Sequence, residues 1–174
     1  MRIILTTMIV MLAHVTIATA QTGADALNNA RTKLVQRVDS EMPGWRHRVV
    51  EPVYPSKNVI IDQWELGDIA IKVAITQYDS VESAVAAFQD FEAHLRVEES
   101  AAAKRGKKDF HLIKEDVPFL GDKAFVWGVR RSDAVCFRKG KFLAVVSVAR
   151  PEDSTGPFFA KTFARKAADV LDLP

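Results

Sequence analysis

The chain has 174 residues, with 24 Lys and Arg against 22 Asp and Glu, a single Cys, and 48% hydrophobic residues that include 10 Phe, 3 Trp and 2 Tyr. That size and apolar content suit one globular domain burying about two-thirds of the surface its unfolded chain exposes, which excludes general disorder. The near balance of charge argues against a nucleic-acid binder, whose phosphate contacts call for a strongly basic face. One thiol makes no internal disulfide.

Residues 1–20 have the layout of a secretory leader. Arg2 supplies a positive start, Ile3 to Ile17 is mostly apolar, and Ala18-Thr19-Ala20 is a small-residue cleavage site, so the mature chain is expected to begin at Gln21. The alternative, an uncleaved anchor, would need a longer apolar run. No cysteine stands at the cut, so a lipid anchor is not expected. Losing Arg2 brings the chain within one charge of neutral. No membrane span is expected after cleavage, and residues 21–174 are expected to form one secreted domain, periplasmic or extracellular.

Leu27, Ala30, Leu34, Val38 and Met42 fall at helical spacing and predict a helix from about Asp25 to Glu41, ended by Pro43-Gly44. Val49 and Val53 bracket a short extended piece. Val59 to Leu66 reads as a strand, Gly67-Asp68 as a hairpin turn, and Ile69, Ile71, Val73 and Ile75 as one face of the return strand. Asp79 with Glu82 predicts a capping box for a second helix, with Val81, Ala84, Val85, Phe88, Phe91 and Leu95 as its stripe and Gly106 as its stop. Four more strands are predicted, over Phe110 to Lys114, Lys123 to Arg130, Ala134 to Arg138 and Phe142 to Ala149. A third helix, with Pro157 in its first turn, carries Phe159, Phe163, Ala164, Ala167, Val170 and Leu171.

The order hairpin then helix occurs twice, around Trp64 to Ser80 and around Phe137 to Ser154. The expected fold is therefore α+β: an antiparallel sheet of about six strands built from two hairpin-plus-helix units, with helices mainly on one face. The second and third helices are expected to share that face, and the N-terminal helix to lie at an edge or across them. Leu66-Gly67-Asp68-Ile69-Ala70 and Leu120-Gly121-Asp122-Lys123-Ala124 match as turn chemistry used twice.

Phe119-Leu120-Gly121-Asp122-Lys123-Ala124-Phe125, followed by Val135-Cys136-Phe137-Arg138-Lys139-Gly140-Lys141, resembles a pattern in small bacterial secreted proteins of unassigned function. In these a Gly-Asp-x-Ala strand precedes a strand ending in Arg-Lys-Gly. The resemblance implies an α+β sheet domain and extracytoplasmic life, and it carries no catalytic residue across.

Catalytic chemistry has few candidates. Cys136 sits mid-strand, where a small apolar role competes with a nucleophilic one that would need a cationic, partly exposed setting and a nearby His. His47, His94 and His111 lack the spacing of a zinc site, so no metal and no cofactor is expected. Ser80 and Ser154 sit where helix caps belong. Carboxylate neighbours such as Glu98-Glu99 diverge along any regular element, and acid/base work needs carboxylates converging from different elements.

Binding has more. Trp64, Trp127 and Phe137, with Arg130 and Arg138 as anion anchors, are the expected ligand contacts where the two units meet. Trp45, Arg46 and Arg48 interleave an aromatic with cations, which suits a phosphate, a sugar acid or an anionic lipid; equally, Trp45 can pack the first helix against the sheet. Lys104, Arg105, Lys107 and Lys108 close the second helix, either as a solvated end facing the helix dipole or as contacts to an anionic surface.

The expected function is an exported, soluble binding or accessory module without catalysis, its partner a small ligand or an envelope component and not nucleic acid. Alternatives are a small secreted hydrolase with acid/base residues converging from separate strands, and a protein–protein interaction subunit whose exposed apolar patch would lie on the Ala-rich helix from Ser83 to Ala103.

Overall fold

The computed structural model describes residues 20–52, 58–106, 110–113, 120–129, 132–149 and 159–171. Apolar residues every three or four positions place Leu27, Ala30, Leu34 and Val38 on the buried side of α1 (Ala20–Glu41). After Pro43-Gly44 the chain continues as β1 (Arg46–Val49), β2 (Val59–Leu66), β3 (Ile69–Gln77), α2 (Val81–Lys104), β4 (Phe110–Ile113), β5 (Lys123–Val129), β6 (Ser132–Lys139), β7 (Phe142–Ala149) and α3 (Phe159–Val170). The strands form one antiparallel sheet of seven, in the order β1-β2-β3-β7-β6-β5-β4.

The expected α+β architecture is what the chain adopts, with helices packed on an antiparallel sheet. The seventh strand is β1, a run read from sequence only as a short extended piece near Val49. The two predicted hairpins, β2-β3 and β6-β7, lie side by side through the pairing of Ile71 with Val148 and Val73 with Val146.

Two of the three described helices share a face, but they are α1 and α3; the expectation that α2 and α3 lie together is overturned. Successive strand residues point to opposite faces. Trp64, Ile71, Val73, Val126, Val135, Phe137, Val146 and Val148 pack with α1 and α3 in one core. Phe125, Trp127, Ala134, Cys136, Leu143 and Val145 pack with Ala84, Phe88, Phe91 and Leu95 of α2 in the other. The physical reason is that β5, β6 and β7 are apolar on both sides, so each side needs its own cover.

Local signals shift by a residue or so where side chains decide. The N-cap of α2 is Ser80, as its place at a helix start predicts, and not Asp79 of the expected capping box, because the Ser80 hydroxyl accepts the Ser83 N–H at 3.1 Å. Its own backbone N–H and the Ser80 hydroxyl hold the Glu82 carboxyl below the usual range. Pro157 and Ser154 lie outside the described residues.

The two Gly-Asp pairs do different work. Gly67-Asp68 forms the two-residue turn between β2 and β3. Leu120-Gly121-Asp122 instead locks the start of β5 onto the end of β6. The Asp122 N–H donates to Arg138 O at 2.8 Å, and its carboxylate accepts from Gly140 N–H at 2.9 Å and pairs with Arg138 at 2.6 Å. Gly121 has φ +66°, and a Cβ there would lie 2.4 Å from the Arg138 carbonyl oxygen, so both the backbone conformation and the close approach exclude a side chain. Gly121→Ala is expected to destabilise the fold by about 2–4 kcal/mol, combining the left-handed penalty with a steric clash. Urea unfolding of the variant checks this, and a loss under about 0.5 kcal/mol, the range of an inert surface change, would contradict it.

Candidate functional site

Trp45 leads into edge strand β1, which carries Arg46-His47-Arg48 at one border of the sheet, and alternation splits that run between the two faces. Trp45 and His47 turn toward α1 and α3. Trp45 meets Phe159 and Phe163 edge-on at centroid distances of 5.2 and 5.3 Å, and is buried, so it packs a helix against the sheet. His47 lies over Trp64 at 4.9 Å. Arg46 and Arg48 point to the other face and are exposed.

Beneath His47 is a charge that sequence reasoning did not single out. Asp62 shares the inward phase of Ile60 and Trp64 on β2, and its side chain is only 2% exposed. His47 Nε2 donates to Asp62 Oδ1 at 2.9 Å and Arg31 Nε, from α1, donates to Oδ2 at 3.1 Å. A carboxylate only accepts, so the proton of a neutral His47 sits on Nε2 and Nδ1 is its acceptor. The Arg31 and His47 side chains remain 24% and 21% exposed. The arrangement ties helix, edge strand and sheet through one sealed carboxylate. The signal available in the sequence was an Asp in phase with apolar residues of a strand.

On the opposite face of the same strands a polar row lies beside the buried pair Ile61 and Ala74. Cross-strand register aligns Arg48 with Gln63, Lys72 and Ser147, and Arg46 with Glu65 and Ala70. Glu65 accepts from Gln63 at 2.7 Å and pairs with Arg48 at 3.3 Å. Burial, and then the charge of Arg48, hold the Lys72 ammonium below the usual lysine range. The described helix on this face, α2, packs on β4, β6 and β7, so Arg46, Arg48 and Lys72 form a cationic border beside it.

The expected ligand contacts do not converge. Trp64 and Phe137 are buried in the α1/α3 core and Trp127 in the α2 core, edge-on to Phe91 at 5.5 Å and tilted against Phe125 at 5.6 Å. Arg138 is engaged by Asp122 and donates to Gly140 O at 3.1 Å. At the β3–β7 junction α1 and α3 cover one face, and on the other α2 packs on β7. Arg130, Lys107 and Lys108 lie outside the described residues. Lys104 and Arg105 are exposed at the end of α2 that leads to β4, the edge opposite β1, so the two basic runs belong to different borders. Lys104 lines an open depression on α2 with Arg96, Val97, Ser100 and Ala101.

Cys136 is fully buried beneath α2, on the face away from His47. Burial, and then the charge of Glu92, push its thiol well above the usual range, which is the reverse of thiolate activation. Burial, and then Cys136, push the neighbouring Tyr78 phenol up to about 12.

Among the described residues no three His, Cys, Asp or Glu side chains gather as a metal site, and no helix is long and apolar enough to cross a membrane. Comparison with protein-family models, curated proteins and solved structures finds no match to this chain.

Two expectations follow from these contacts. Asp62→Asn leaves Arg31 without its counter-charge, and a loss of about 2–4 kcal/mol is expected in chemical denaturation, the scale of breaking a largely buried pair; an unchanged midpoint would reduce the cluster to decoration. For Cys136 and Tyr78 the folded chain holds protons that the unfolded chain releases, so their contribution is full below pH 9 and is lost as pH rises toward about 12. Denaturation midpoints measured from pH 7 to pH 11 should therefore fall on the alkaline side, and the fall should be shallower in Tyr78→Phe.

Proposed function

We propose that the protein is an exported binding module without catalysis, whose ligand presents an anionic group to the β1–β3 border of the sheet. The observation that carries this reading is the grouping of Arg46, Arg48 and Lys72 on one sheet face by cross-strand register, where burial first and the charge of Arg48 second disfavour the Lys72 ammonium. Like charges gathered this way repel, and a bound anion relieves the repulsion. Gln63, which donates to Glu65, and Ser147 continue the same cross-strand row as largely buried polar groups. Export is supported by the leader-like residues 1–20 and by the resemblance of the Gly121-Asp122 and Arg138-Lys139-Gly140 segments to small secreted proteins.

The hydrolase reading keeps one favourable observation, the His47–Asp62 pair. Against it, Arg31 occupies the second carboxylate oxygen and the thiol lies across the sheet.

Native mass spectrometry of protein from the exported fraction is expected to give a chain starting at Gln21. NMR titration with inorganic phosphate and with glucuronate should move the amides of Arg46, Arg48 and Lys72 first. Arg48→Ala and Lys72→Ala should each weaken that binding about three- to tenfold, the range of a partly exposed charge contact. Titrations that leave these amides still, or a mature chain retaining Met1 to Ala20, would sink the proposal.

A further inference from the structure

Among the described residues, β1 is an edge strand with a partner on one side only. Val50 N–H donates to Ile61 O at 2.9 Å, opposite its register partner, so Val50 and Ile61 are a hydrogen-bonded pair. Antiparallel ladders alternate, which directs the main-chain groups of Arg46 and Arg48 toward β2 and those of His47 and Val49 away from it. No described strand pairs with that side. Val49 is 54% exposed and the Arg48 side chain 61%, so both side chains on this border reach solvent.

This edge is also held rigid. Trp45 is wedged against Phe159 and Phe163, and His47 is fixed by Asp62 and Trp64. A preformed strand loses little further entropy when it pairs. Its charges discriminate as well. Two copies of β1 pairing edge to edge would bring Arg46 and Arg48 of one against those of the other, and edge cations are a known protection against such self-association. The same cations favour a strand with acidic residues at alternate positions, since direct cross-strand neighbours sit about 5 Å apart.

We propose that β1 accepts an extended acidic peptide segment as an eighth strand of the sheet, with acidic side chains at i and i+2 facing Arg46 and Arg48 and an apolar residue on the other face covering Val49. His47 and Val49 supply the backbone hydrogen bonds, and the arginines choose the sequence. The inference rests on the anion-binding reading, because Arg46 and Arg48 serve both, and it adds a main-chain requirement that a small anion lacks.

The test uses the whole protein and a fluorescein-labelled peptide, Glu-Thr-Glu-Val-Glu-Thr, followed by anisotropy and by hydrogen exchange at the His47 and Val49 amides. Controls are the peptide with Lys for Glu, the acidic peptide with its central amides N-methylated, and inorganic phosphate. The acidic peptide should bind at least about tenfold tighter than the Lys peptide, slow exchange at both amides, and lose about tenfold on N-methylation, each tenfold corresponding to about 1.4 kcal/mol. Val49→Pro removes an outward N–H without touching a bond to β2, and should weaken the peptide about tenfold while leaving phosphate binding unchanged. Arg46→Glu with Arg48→Glu should reverse the charge preference.

Equal binding of the methylated and unmethylated peptides would overturn strand addition. So would phosphate binding with no peptide binding, which leaves the anion-binding reading standing. Failure of both probes would overturn both.

Discussion

Strands β5, β6 and β7 are apolar on both sides, and that two-sided demand organises the molecule. Val126, Val135 and Val146 alternate with Phe125, Cys136 and Val145 along neighbouring strands, so water must be kept from both faces at once. Helices α1 and α3 cover one face and α2 the other. Each buried Phe or Leu contributes about 1.5–3 kcal/mol relative to exposure, which makes leaving either face open costly. While α2 is committed to β4, β6 and β7, the β1–β3 border on its face carries the row Arg48, Gln63 and Lys72 beside buried Ile61 and Ala74.

At that border, charge is handled by position. Asp62 is drawn into the α1 side by its strand phase, where it pairs with Arg31 and accepts a hydrogen bond from His47. Elsewhere on that layer Lys166, nearly buried on α3, donates to Glu41 of α1, and Arg37 bridges Glu41 at 2.9 Å and Asp169 at 3.0 Å. Led by the Lys166 hydrogen bond, these contacts hold the Glu41 carboxyl below its usual range. Ion pairs thus link the last turns of α1 to α3, and Trp45, just before the edge strand, packs on Phe159 and Phe163 of α3.

The opposite arrangement holds at the far hairpin. Arg138, a candidate anion anchor by residue type, spends its charge on Asp122 and its N–H on Gly140 O, while Lys139 donates to the Ala168 carbonyl at 2.8 Å. The Arg-Lys-Gly segment therefore serves the β6-β7 turn and the seating of α3. The same residue types at β1 have exposed side chains, and the difference comes from tertiary neighbours alone.

The sequence by itself determined the helices, the hairpins and the alternation of faces, because periodicity, Gly-containing turns and Pro breaks are local signals. Val59 to Leu66 and Phe142 to Ala149 were readable to the residue. The unbroken apolar run Leu143 to Val146 was also the available sign of a strand buried on both sides, and it went against placing α2 and α3 together. Only the tertiary structure decided which helix covers which face, that Asp62 meets Arg31 and His47 from two other elements, and that Arg46 and Arg48 join Lys72 while Arg138 is consumed by Asp122. Those outcomes depend on register and on the hand of the connections across the sheet, which bring together residues far apart in the chain. A one-residue shift would send every one of these side chains to the other face.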